Sequence, residues 1–171
     1  MNLKLSDLAS IAELIGATAI VVSLLYVGIQ VNDNAQAVRS ATANETSAAI
    51  SSWYAQIGSS PQATQVFLDG ITNPAVLSRE ETAQYVYLLH GLMLQYQTAY
   101  YLAQEQTLDA ELQESITNTL SGVREMAGFH MYWGQRRDLF QLSFREWVDD
   151  LLVGGDTNTN LEELYRMRRS E

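Results

Sequence analysis

The chain has 171 residues, a formal net charge of −10 and no cysteine. That length holds one compact domain with a short additional element. The negative charge argues against a nucleic-acid partner, which needs cationic surface to meet phosphate, and the missing thiols exclude disulfides, thiolate metal sites and cysteine nucleophiles. Hydrophobic residues make up 47% of the chain with only two prolines, so long helices are favoured over disorder.

The first element carries the strongest signal. From Leu14 to Val31 no residue is charged, and the polar ones are Thr18, Ser23, Tyr26 and Gln30. As a helix this run is about 27 Å long, close to the hydrocarbon thickness of a bilayer. Tyr26 lies near one end, where an amphipathic ring reaches the interface. A cleaved signal peptide needs a basic leader and a small-residue cleavage site, but Glu13 precedes the run and "VNDNAQAV" follows it. A buried soluble helix is the other rival. The reading adopted is a transmembrane segment over 1–35, with the span at about 14–31, followed by a helical domain over 36–171. Within the span, Ala12, Gly16, Ala19 and Ser23 recur at spacings of 4, 3 and 4. Small residues on one stripe let membrane helices approach closely, so this row is a candidate helix–helix interface with another chain.

Helical patterning continues beyond the span through Val38, Ala41, Ala48, Ile50, Trp53 and Ile57, so the first helix can extend as a stalk from Asp7 to Ile57, with "NDN" at 32–34 a candidate kink. "GSSP" at 58–61 stops it. Ser60 before Pro61 is an N-cap with proline at the first helical position, opening a short helix that Gly70 is expected to close. Ser78 with Glu81 forms a capping box ahead of a helix over 79–104, whose row Tyr85, Leu89, Leu92, Tyr96, Ala99 and Ala103, widened by Val86 and Met93, makes it the expected centre of a bundle. Its His90, Gly91, Gln95, Gln97 and Thr98 are too polar for a second span. Asp109 is the candidate cap of a helix running to about Gly128. "HMYWGQRRDLF" reads as a short helix and turn. Ser143 with Glu146 reads as a capping box opening "FREWVDDLLVG", and Asn160 with Glu163 caps a last helix ending "YRMRR". The fold class is therefore all-α: an N-terminal transmembrane helix that can continue as a stalk, then a helical bundle.

The residues point to no catalytic chemistry. His90 and His130 have no ligand spacing around them and read as packing histidines. Asp156, Asn158 and Asn160 alternate like the start of a calcium loop, but its sixth place is Leu161 and its twelfth Met167, so calcium is rejected. There is no phosphate-binding glycine loop and no nucleophile elbow. The acids Glu105, Asp109, Glu111 and Glu114 suit a solvated helix start. The tyrosines Tyr85, Tyr87, Tyr96, Tyr100 and Tyr101 read as packing. No metal and no organic cofactor is expected. Charge is uneven: residues 1–123 hold three basic and eleven acidic side chains, residues 124–171 seven and nine. Arg136 and Arg137, beside Met131, Tyr132 and Trp133, and Arg166, Arg168 and Arg169 are therefore candidate contacts to lipid headgroups.

On "AELIGATAIVVSLLYVGIQV", "AVRSAT", "SSPQATQVFLDG", "LSREE", "QTLDAEL" and "FREWVDDLL" the chain resembles a family of uncharacterised bacterial proteins with one N-terminal span. The resemblance implies a single-pass protein of the bacterial inner (cytoplasmic) membrane, a helical domain and no known activity. Relatives carry arginines directly after the span; here that place holds only Arg39, which leaves the side of the domain open. The function expected is non-enzymatic: a span that touches membrane lipid and self-associates into a homo-oligomer, or serves as an accessory subunit of a membrane complex. A homo-oligomeric pore with Ser23 and Gln30 facing water, and a membrane-tethered ligand-binding domain or small enzyme, are the alternatives.

Overall fold

The computed structural model describes residues 5–154, with side chains from Ala9 onward. The order is α1 (Leu5–Gly58), α2 (Pro61–Thr72), α3 (Arg79–Gln104), α4 (Ala110–Gly122), α5 (Ala127–Arg136) and α6 (Leu142–Val153), with short 3-10 turns at Pro74–Val76 and Arg137–Leu139. Among the described residues there is no strand. The chain divides into two units at Ser40–Ala41. The first unit is the apolar part of α1, and its described side chains are exposed throughout. Helical backbone bonding runs unbroken through Asn32–Asn34, where a kink was expected.

The second unit starts with the last turns of α1 and is a helical bundle. Its helix starts follow local chemistry. Ser60 accepts the Ala63 N–H at 3.1 Å ahead of Pro61, and Asp109 accepts the N–H groups of Glu111 and Leu112. At Ser78 the capping box is complete: its hydroxyl accepts from the Glu81 N–H and its own N–H donates to Glu81 Oε2 at 2.8 Å. Those bonds from Ser78 hold the Glu81 carboxyl below the usual carboxylate range.

α3 is the central helix. Tyr85, Val86, Leu89, Leu92, Met93, Tyr96 and Ala99 are buried, and α2, α4, α5 and α6 all pack against it. Ala103 is partly buried at the edge of the core. α3 ends in a Schellman arrangement: the Thr107 N–H donates to the Leu102 carbonyl and the Gln106 N–H to the Ala103 carbonyl, with Gln106 at φ 57°. A side chain is strained in this left-handed region, so Gln106→Gly should raise stability by about 0.5–1 kcal/mol in chemical denaturation. A loss of stability would contradict this account of the turn.

Three local expectations fail, each for a tertiary reason. Gly70 does not close α2, which runs to Thr72. It is a contact site: a Cβ there would meet the Tyr85 ring at 2.2 Å. The helix from Asp109 stops at Gly122 and not Gly128, and the chain turns through Val123–Met126 before α5. Gly128 instead lies inside α5, against the backbone of α2. Ser143 does not cap α6. The helix starts two residues earlier, at Leu142, and its N-cap Gln141 donates its backbone N–H to Gln97 Oε1 of α3 at 2.8 Å. The helix expected after Asn160, and the rejected calcium loop at 156–167, lie outside the described residues.

Candidate functional site

Two features of the described surface stand out: the apolar face of α1, and a groove beside α3. On α1, Leu14, Ile20 and Leu24 are 69%, 63% and 66% exposed, an unusual state for large apolar side chains in water. This is the one described helix long and apolar enough to cross a membrane, by length and composition. Its polar side chains are partly self-satisfied. The Thr18 hydroxyl donates to the Leu14 carbonyl at 2.8 Å, and Gln30 Nε2 donates to the Tyr26 hydroxyl at 3.0 Å. Bonds made within the helix reduce the cost of placing such groups in hydrocarbon. Ala12, Gly16, Ala19 and Ser23 are all exposed, and a Cβ added at Gly16 would meet nothing within 4 Å.

The groove lies inside the second unit, between the last turns of α1 and the face of α3. Trp53 fixes the geometry: its Nε1 donates to the Leu88 carbonyl at 2.6 Å, and its ring meets Phe67 edge-on at 5.3 Å. The wider part, about 570 Å³, is lined by Trp53 and Gln56 of α1 and by Glu80, Ala83, Gln84, Tyr87, Leu88 and Gly91 of α3. A second cavity of about 250 Å³ lies farther along the two helices, lined by Thr42, Glu45, Thr46 and Ala49 of α1 and by Gln95, Thr98 and Leu102 of α3. Gln95 borders both, and its buried Oε1 has no hydrogen-bond partner.

The remaining candidates are held structurally. Tyr132 and Trp133 are buried beside Arg136 and Arg137, so neither ring is open to a lipid headgroup. Trp133 Nε1 donates to Asp149 Oδ1 at 2.7 Å, and Arg137 pairs with the other oxygen of the same carboxylate. Burial pushes the Asp149 carboxyl up, but the bonds from Arg137 and Trp133, with the charges of Arg137 and Arg145, leave it below its usual range. The Arg137 guanidinium is held protonated by the same pair. Arg136 is half-buried. Arg166, Arg168 and Arg169 lie outside the described residues. Of the histidines, His90 packs as expected, with Nδ1 2.8 Å from the Tyr132 hydroxyl and its ring 5.1 Å from Phe140. Burial, and then the charge of Arg136, hold its pKa below the usual histidine value. His130, by contrast, is exposed on α5. Tyr87 and Tyr101 are exposed too, so the tyrosines of α3 do not all pack. Among the described residues no three His, Asp or Glu side chains gather closely enough to hold a metal ion.

The chain matches no protein-family model, and searches of curated proteins and of solved structures return no significant similarity. The architecture implied by the resemblance above is present, a long apolar N-terminal helix followed by a helical domain, but the family itself is not found.

Proposed function

We propose that this is a non-enzymatic single-pass membrane protein whose N-terminal helix anchors it and pairs with a second copy or with a subunit of a membrane complex. One observation carries the reading. The uncharged run Leu14–Val31 is exposed along its whole length, while residues 41–153 build their own core without it. A soluble protein gains nothing from leaving that much apolar surface in water; at about 25 cal/mol per Å², its transfer into lipid is strongly favourable. A place in the inner membrane is what the resemblance of the sequence to uncharacterised bacterial single-span proteins implies.

Pairing follows from the row Ala12, Gly16, Ala19, Ser23. In lipid, where apolar side chains gain no hydrophobic advantage from each other, close backbone approach supplies dispersion and weak Cα–H···O contacts. Gly16→Leu should force the backbones apart and lower the oligomer mass in mild detergent, and Ile20→Leu, away from the row, should leave it unchanged. Parent-like assembly of Gly16→Leu would reject this seam.

A further inference from the structure

α3 is core on one face and carries an open seam on another. Tyr87, Leu94 and Tyr101 recur every seven residues and are 69%, 43% and 54% exposed. Gly91 and Thr98 fall between them, so the row Tyr87, Gly91, Leu94, Thr98, Tyr101 advances in steps of four, three, four and three. That rhythm keeps two helices in contact over several turns. The three large side chains form a ridge, and the groove toward the last turns of α1 runs beside it. Tyr87 and Gly91 line its larger cavity, and Thr98 lines the second. No described residue fills either one. Gly91 is the decisive position. A glycine inside a helix weakens it, and the described chain makes no use of the space it leaves: an added Cβ would meet nothing within 4 Å.

We propose that this face binds a second copy of the chain, two α3 helices packing antiparallel so that the ridge of each enters the groove of the other. The row is complementary to itself in that direction. With the two-fold axis at the level of residue 96, Tyr101 of one copy lies over Gly91 of the other, and Leu94 over Thr98, large against small in each layer. A parallel pair would stack Tyr87 on Tyr87 and leave Gly91 facing Gly91. Charge favours the same arrangement. From Thr82 to Gln104 α3 carries no Asp, Glu, Lys or Arg, in a chain of net charge −10. Two acidic copies therefore meet here without opposed carboxylates, since Glu105 falls opposite Tyr87. A parallel pair would set Glu80 against Glu80 and Glu105 against Glu105. The exposed parts of Tyr87, Leu94 and Tyr101 come to roughly 350 Å² per copy. A two-helix seam about 27 Å long, with its groove walls, reaches the low end of specific interfaces, roughly 600 Å² per partner. That size suits a reversible contact, which covalent capture can record.

The chain has no cysteine, so single introduced cysteines report proximity directly. Full-length variants in mild detergent are treated with a short thiol-to-thiol cross-linker, and the rate of covalent dimer formation is followed. In the antiparallel pair the two copies of residue 98 are offset by about 6 Å along the helices, and the two copies of residue 104 by about 24 Å. Gln104 is exposed on α3, and Ser115 is exposed on α4. Thr98→Cys should therefore link about tenfold faster than Gln104→Cys or Ser115→Cys, which report random encounter. Adding Gly91→Phe to Thr98→Cys should slow linking roughly tenfold, because the ring fills the space meant for Tyr101 of the other copy. Adding Tyr101→Ala as well should restore the rate, since large and small have then changed places across the seam. Linking of Thr98→Cys no faster than Ser115→Cys, linking of Gln104→Cys as fast as Thr98→Cys, or a Gly91→Phe block that Tyr101→Ala does not relieve would each overturn the proposal. All variants share the same α1, so these comparisons do not depend on whether it spans a membrane or pairs through Gly16. Failure here leaves the anchoring role intact.

Discussion

Gly128→Ala should destabilise the helical domain by about 3 kcal/mol or more, enough to unfold much of it at moderate temperature. The cause is a close crossing of α5 and α2. A Cβ at position 128 would stand 1.9 Å from the Gly70 carbonyl oxygen and 2.7 Å from the Ile71 Cα. These are backbone atoms, so no rotamer change relieves the clash; one helix must move. Gly70 of α2 itself lies close against the Tyr85 ring of α3, which leaves α2 little room to shift. Gly134 provides the matched control on the same helix. It has nothing within 4 Å of an added Cβ, so Gly134→Ala should be neutral or raise stability by up to about 1 kcal/mol through helix propensity. Thermal melts of both variants in detergent check the pair. Similar melting temperatures would remove the crossing from the account.

Phe144→Ala should cost about 3–5 kcal/mol, the range for emptying a buried aromatic site. Phe144 is fully buried, with ring centroids of Phe140 at 5.5 Å, Trp147 at 5.6 Å, Tyr100 at 5.7 Å and Trp133 at 6.4 Å. These rings come from α3, α5, α6 and the turn before α6, so the cavity left by alanine opens between several elements and cannot close by moving one. Leu142, two residues away and 61% exposed, should cost under about 1 kcal/mol as alanine. Denaturant unfolding followed by tryptophan fluorescence reads both, since Trp133 and Trp147 lie in this cluster. Equal destabilisation by the two would contradict the burial pattern.

What could be read from sequence is what local physics decides. Ser60–Pro61, the Ser78–Glu81 box and the Asp109 cap each act within four residues, and all three form as expected. The row from Tyr85 to Ala99 was legible because helical periodicity and burial agree there. Gly70 and Gly128 were misread because a glycine that stops a helix and one that admits a neighbour look alike in one dimension, and φ is not positive at any described glycine. Ser143 satisfied the pattern of a cap, yet a side chain from α3 serves the start of α6. Two arginines beside Tyr132 and Trp133 say nothing of how those rings are buried; the side chain that Trp133 bonds is Asp149, sixteen residues on. The apolar face of α1 was visible because bilayer thickness sets a length that a sequence displays directly. The groove beside α3 was not, because it depends on where Trp53 meets Leu88, and the spacing of Thr42, Thr46, Ala49 and Trp53 reads only as one more weak helical stripe.

The membrane-anchoring role stands or falls on where the intact chain partitions. Membranes carrying the full-length protein are washed with alkaline carbonate, which strips peripheral proteins and leaves spanning ones, and the mass of the recovered chain is measured. The account predicts a chain of unreduced mass in the pellet, held by Leu14–Val31. An intact chain in the supernatant, or a shortened one that has lost this helix, would contradict it.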